Sequence, residues 1–188
     1  MRLVVELFAS LVIALAVGLG SAWYMVDGPR IGVGVGAWTA MPSIAADSAD
    51  PYSRARVARS GEIAMGAGEG LVFIAEQDDE GRSLDGGCDY ALTGEAPTAR
   101  LWTLTVSDLA GRLPRAASGR TFLTSREILR DIDGRFEIAV SAGARPGNWL
   151  PAPAEGALRL VLRLYDTPLA LSPGADMVMP HIERRGCR

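Results

Sequence analysis

The sequence contains no lysine, a single histidine (His181), a single asparagine (Asn148), a single glutamine (Gln77) and only two cysteines. Each scarcity removes a class of chemistry. Without lysine there is no Schiff-base nucleophile and no P-loop phosphate clamp. One imidazole excludes histidine-rich metal centres and leaves a single candidate base for any nucleophilic triad. All 19 basic residues are arginines, scattered through the chain, and the net charge is -3. A nucleic-acid binder needs basic residues gathered in a stripe that tracks phosphates, so that partner is not expected. Cofactor signals are missing as well. Gly32, Gly34 and Gly36 alternate with Ile31, Val33 and Val35. A dinucleotide loop needs GxGxxG between a core strand and a helix, so these residues read as a glycine-bearing strand. The acidic stretch Asp78, Asp79, Glu80 and Asp85 lacks the ligand spacing and distal glutamate of a calcium loop, and reads as a solvated hairpin turn. No metal and no cofactor is expected.

What is present begins with one long apolar run. Leu3 to Val26 is about 24 residues, enough at 1.5 Å per residue to cross a hydrocarbon core of roughly 30 Å. Trp23 and Tyr24 stand at its far end, where an aromatic belt meets the interface. The rival reading is a cleaved signal peptide, since Gly20-Ser21-Ala22 offers small residues for processing. The run exceeds the usual signal core, which favours an anchor. Arg2 before the run and Arg30 after it orient it only weakly. The sequence thus predicts three parts: a transmembrane anchor over 1–26, a connector over 27–49 and a soluble domain over 50–188. The expected setting is a membrane crossed once, with the domain exported, as in a periplasm.

An oxidising compartment bears on Cys88 and Cys187. Pairing them closes a loop of about 100 residues, worth up to about 4 to 5 kcal/mol in the chain-entropy account, and ties down the C-terminal tail. The alternative is a reactive thiol with His181 as its base, although no CxxC spacing supports it.

Along the domain, Asp50 to Gly61 carries full helix punctuation: Asp50 as N-cap, Pro51 at the first helical position, Gly61 past the end. Tyr52, Arg56 and Arg59 share one face, and Ala55 and Ala58 lie near a packing stripe. Strand signals follow: Leu71 to Ala75, Tyr90 to Leu92, Arg100 to Val106, and Phe136, Ile138 and Val140 after the Asp133-Gly134 turn. A short helix is expected from Ser125 through Leu129. The clearest alternation runs from Ala157 to Tyr165. Leu158, Leu160, Leu162 and Leu164 form one face, and Arg159, Val161, Arg163 and Tyr165 the other. Short strands between Gly, Pro and Asp turns predict an all-β sandwich or barrel with one or two short helices.

Several segments carry a resemblance: Asp50-Pro51-Tyr52 with Arg54-Ala55, Cys88 through Gly94, Ala99 through Thr105, Pro146 through Pro151, and Arg163-Leu164-Tyr165. In this order they resemble the bacterial family called domain of unknown function 1214. The resemblance implies an antiparallel β-sandwich of jelly-roll or nucleoplasmin-like type. In longer relatives a second uncharacterised domain, numbered 1254, precedes this one, so a separately encoded 1254-type protein is an expected partner beside the membrane.

Candidate ligand residues are Arg100, Asn148, Trp149, Arg163 and Tyr165, with Arg159 nearby. Guanidinium forks suit carboxylates and phosphates, and flat rings suit stacking. The same residues also serve a fold, closing a core or fixing a turn. Two functions stay open: a membrane-tethered binding or accessory module, and an envelope enzyme on polar or carbohydrate-like substrates using carboxylates such as Glu69 with Asp89. The catalytic residues are not assigned by the sequence.

Overall fold

The computed structural model describes residues 2–28, 32–40, 49–60, 65–66, 68–114, 119–170 and 177–188. In chain order the elements are α1 (Arg2–Asp27), β1 (Val33–Val35), β2 (Trp38–Ala40), α2 (Pro51–Ser60), β3 (Gly70–Ala75), β4 (Cys88–Gly94), β5 (Leu101–Asp108), β6 (Phe122–Thr124), β7 (Phe136–Ser141), β8 (Asn148–Pro151), β9 (Leu158–Tyr165) and β10 (His181–Cys187). The strands form two sheets. One has six strands in the order β1-β2-β3-β9-β5-β6, the other four in the order β10-β4-β7-β8. Every named strand pairing is antiparallel except that of β7 with β8, which is parallel.

Alternation dictates how the sheets meet. A strand's side chains point to opposite faces in turn, so one face of each sheet is apolar and seeks cover. On β9, Leu158, Leu160, Leu162 and Leu164 enter the core, as do Trp102, Leu104 and Val106 on β5. From the four-stranded sheet come Tyr90, Leu92, Ile138, Val140, Leu150 and Ile182, joining the same apolar cluster. Two sheets therefore share one core, in a sandwich arrangement. Trp102 and Phe136 meet across it with ring centroids 5.5 Å apart. β9 lies between β3 and β5, bonded to both, which explains why its periodicity is the clearest in the chain.

α1 is long and apolar, with a mean hydropathy of 2.4 in its most apolar window. None of its residues is buried against the sandwich. It is long and apolar enough to cross a membrane, a property shared by membrane anchors and signal sequences. α2 begins as its punctuation predicts. Asp50 Oδ1 accepts hydrogen bonds from the backbone N–H of Tyr52 at 2.9 Å and of Ser53 at 3.1 Å, satisfying two of the orphan donors of the first turn. Gly61, expected to end the helix, lies outside the described residues.

Three expectations need correction. Residues 33–40, placed in the connector, form the β1–β2 hairpin, and Trp38 and Ala40 belong to the core. Val33, Gly34 and Val35 do form a strand. Ala55 and Ala58 do not pack: both are exposed, while Arg56 and Val57 are partly covered. Finally, Ser125 to Leu129 is a turn. Glu127 N–H bonds Thr124 O at 3.1 Å, but the Leu129 N–H is taken by the side chain of Asn148 at 2.6 Å, so no helical ladder propagates.

Candidate functional site

Asn148 helps build a groove on the surface of the described residues. Its Oδ1 accepts from Leu129 N–H at 2.6 Å, and its Nδ2 donates to Leu129 O at 2.8 Å and to Glu137 O at 2.9 Å. A buried amide has two donors and a carbonyl to satisfy, and all three functions are engaged. The bonds pin the chain after Leu129 against β7. That segment then closes on itself. Asp131 Oδ1 accepts from Asp133 N–H at 3.0 Å and Arg135 N–H at 2.7 Å, and Gly134 supplies the positive φ of 83° the turn requires. Arg130 donates to Gly134 O at 2.9 Å, with its guanidinium 5.5 Å from the Phe136 ring and 5.9 Å from Trp102.

Between this loop and the outward face of the four-stranded sheet lies a groove of about 810 Å³. Its floor is one row across three strands. Thr93 on β4 stands opposite Glu137 on β7 and opposite His181 on β10. Since Phe136, Ile138 and Val140 face the core, Glu137 must face outward. His181 and Glu137 are two strand spacings apart, roughly 10 Å of backbone separation, so they do not act as a hydrogen-bonded pair. Nor is His181 idle, for its Nδ1 lies 2.9 Å from Asp79 Oδ2. The Glu137 carboxylate has no side-chain partner among the described residues. Further along the same face, Asp89 is held by Arg145 at 2.5 Å and Arg188 at 3.1 Å. Burial would raise its carboxyl, but these hydrogen bonds and charges leave it below the ordinary carboxylate value.

The five sequence candidates are divided between the sheets. Asn148 lines the groove, and Trp149, next along β8, donates from Nε1 to Ser141 O at 3.1 Å. Arg163 and Tyr165 lie on β9 in the other sheet, on the face away from the leucines and half-buried. Arg100 is beside them, its N–H bonding Tyr165 O at 3.2 Å and its guanidinium 3.7 Å from Asp166. The structure thus places Arg100 beside Tyr165, two residues along β9 from Arg163, and Asn148 beside Trp149, with the two groups on different sheets. The strand alternation is right; which sheet each strand joins is not visible in it. Glu69 and Asp89 do not converge either: Glu69 Oε2 accepts from Gly66 N–H at 2.9 Å ahead of β3, while Asp89 belongs to β4. Thr93, Arg130, Arg135 and Glu137 were not marked as candidates. The signals near them are the Asp133-Gly134 turn, the Phe136-Ile138-Val140 alternation around Glu137 and the Cys88-to-Gly94 segment that contains Thr93. No cluster of three or more metal-ligating side chains occurs among the described residues.

Comparison with a solved structure supports this fold. The VPA0106 protein of Vibrio parahaemolyticus has a crystal structure similar to this one, with a TM-score of 0.61 and 24% identity over 74% of this chain and 36% of that one. An uncharacterized protein from Burkholderia cenocepacia gives a TM-score of 0.42 and 21% identity over 78% of this chain and 45% of that one. The chain thus spans well under two thirds of the length of either protein. No curated protein matches it. The family model described as protein of unknown function (DUF1214) matches residues 69–169, which run from the entry of β3 to the turn after β9 and contain the whole groove loop. That is more than half of the 188 residues, and the chain belongs to the DUF1214 family.

Proposed function

We propose that this protein is a binding module of the bacterial envelope, anchored by α1 in the inner membrane with its sandwich in the periplasm, and that the Asn148 groove receives a polar, hydroxyl-rich ligand such as an oligosaccharide. The observation that carries this reading is the state of the groove's ionisable groups. Asp131 is engaged through Oδ1 by two backbone N–H groups of its own turn and His181 contacts Asp79, which leaves Glu137 as the groove carboxylate with no hydrogen-bond partner among the described residues. Hydrolysis of a glycoside by the usual route takes two carboxyl groups flanking one bond. One unengaged carboxylate beside Thr93, Arg130 and Arg135, with Asp131 held by its turn, suits recognition instead.

The test uses the full-length chain in detergent with a panel of neutral and acidic oligosaccharides, followed by nuclear magnetic resonance of the groove residues. Saturable shifts at Thr93 and Glu137, lost in Glu137→Gln, are the expected result. Cleavage of any member of the panel, abolished by the same substitution, would replace binding by the enzyme reading. No shift with any sugar removes the hydroxyl-rich ligand. The resemblance also supports a partner carrying the separately encoded 1254-type domain. Crosslinking in membranes that express both and recover no adduct would end that proposal.

A further inference from the structure

α2 is bound to the end of α1 through two arginines. Arg56 donates from Nη2 to Met25 O at 2.6 Å, capping one of the carbonyls a helix leaves free at its C-terminus. Arg59 pairs with Asp27 at 3.1 Å and lies 5.1 Å over the ring of Trp23. Beside them is a cavity of about 350 Å³ whose wall includes Val26, Asp27, Arg56, Arg59, Leu109 and Arg159. Among the described residues, three guanidinium groups and one carboxylate line it. Arg159 is 3% exposed and is set by the bond from its Nε to Ser107 Oγ at 3.0 Å. Its Nη2 lies so near Gly111 that a Cβ there would approach to 3.1 Å. The Nε of Arg56 is buried without a hydrogen-bond partner among the described residues. A buried, unmatched donor on a charged group is costly unless an anion answers it.

Position supplies the second argument. Trp23 and Tyr24 are exposed near the C-terminal end of α1, where aromatic side chains mark the level of lipid head groups. Leu109 shares the cavity wall with Val26, which brings the turn after β5 to the same level. In that turn Leu109 is 50% and Leu113 55% exposed, apolar side chains that water does not favour and acyl chains do.

We propose that this cavity is a phosphate site for an anionic phospholipid of the leaflet on the sandwich side, with Arg56 and Arg59 binding the head group and Arg159 supplying charge from beneath. The site rests on α1 being retained as an anchor. Phosphate fits because it accepts forked hydrogen bonds from several guanidiniums at once. The lipid tails then lie along α1 and the exposed leucines. Asp27 opposes the anion, and its pairing with Arg59 gives way in part when the lipid binds.

Native mass spectrometry of the full-length protein, released from micelles containing equal phosphatidylglycerol and phosphatidylcholine, tests the proposal. Wild type retains phosphatidylglycerol preferentially, and that preference falls about fivefold for each of Arg56→Gln and Arg59→Gln, the loss expected per arginine at an anionic surface. Arg185→Gln, an exposed arginine of β10, serves as the charge control and leaves retention unchanged. An equal loss in that control, or equal retention of the two lipids by wild type, would overturn the site. Displacement by inorganic phosphate supports the phosphate chemistry and assigns its source to solution; resistance to it assigns the source to lipid. Thermal melting shows that the variants are folded. The measured mass separates the two failures: a chain lacking α1 overturns the anchor and with it this site, whereas a full-length chain without lipid preference overturns the site alone.

Discussion

The Nε of Arg184, on the last strand, lies 3.1 Å from Oδ2 of Asp78, a buried carboxylate in the hairpin that follows β3. The same carboxylate accepts from Arg82 through the backbone N–H at 2.9 Å and through Nε at 2.8 Å. Arg184 in turn stacks 5.5 Å over Tyr90 and donates to Ser83 O at 2.6 Å. One acid thereby fastens the 78–83 turn to the edge strand. Asp78→Asn is expected to lower stability by about 2 kcal/mol, below the range for fully buried pairs because Arg82 is half exposed. Thermal melting checks this, with a drop of about 4 to 8 °C. An unchanged melting point would mean that the cluster only decorates the turn.

Acid should unfold the protein over a window set by these carboxylates. Burial would raise the Asp78 carboxyl, but the Arg82 N–H, its guanidinium and the charge of Arg184 outweigh it, and Asp89 is lowered by Arg145 and Arg188 in the same manner. A carboxyl with a depressed folded pKa adds stability that is fully present above its unfolded value, near 3.9, and is lost as pH falls through the folded value. Stability is therefore expected to hold from neutral pH to about pH 5 and to decline below about pH 4. Denaturant titrations at stepped pH would contradict this if the decline set in between pH 6 and 7.

Cys88 and Cys187 form a disulfide between directly opposed positions of β4 and β10, 99 residues apart in sequence. The chain-entropy account gives about 4 to 5 kcal/mol as its upper contribution. Reduction should lower the melting point and speed hydrogen exchange in Glu183–Cys187 before the core responds. Under denaturing, non-reducing conditions neither thiol should alkylate in protein isolated without reductant. Two labelled cysteines would refute the bridge.

Asn148→Ala leaves three backbone groups around the groove without their partners, an expected cost of about 3 kcal/mol. The loss should be local. Hydrogen exchange is expected to accelerate over residues 129–135 while the amides of β9 stay protected; uniform acceleration would show that Asn148 holds the sandwich and not the loop.

Arg163 is flanked by Val72 and Thr103 on the neighbouring strands, and its guanidinium has no polar partner among the described residues. Arg163→Lys is therefore expected to change stability by less than about 0.5 kcal/mol. Carboxylate or phosphate binding that requires the arginine at equal stability would establish the six-stranded face as a site of its own, while a lower melting point would show a structural role.

Local chemistry determined much of this protein directly from its sequence. The apolar run of α1, the Asp50-Pro51 start of α2 and the leucine alternation of β9 are legible because each depends on neighbours a few residues away, through helix length, an N-cap or a two-residue period. β10 was not legible. His181-Ile182-Glu183-Arg184 carries one core residue among charges, and becomes a strand only because β4 offers an unpaired edge. The expected helix at Ser125 failed for a related reason, since a side chain 19 residues further on takes the amide at Leu129 that the helix would need. The groove itself, with Thr93, Glu137 and His181 in one row, was decided by the tertiary structure alone: hydrogen-bond register across three strands places side chains beside one another that no spacing along the chain relates.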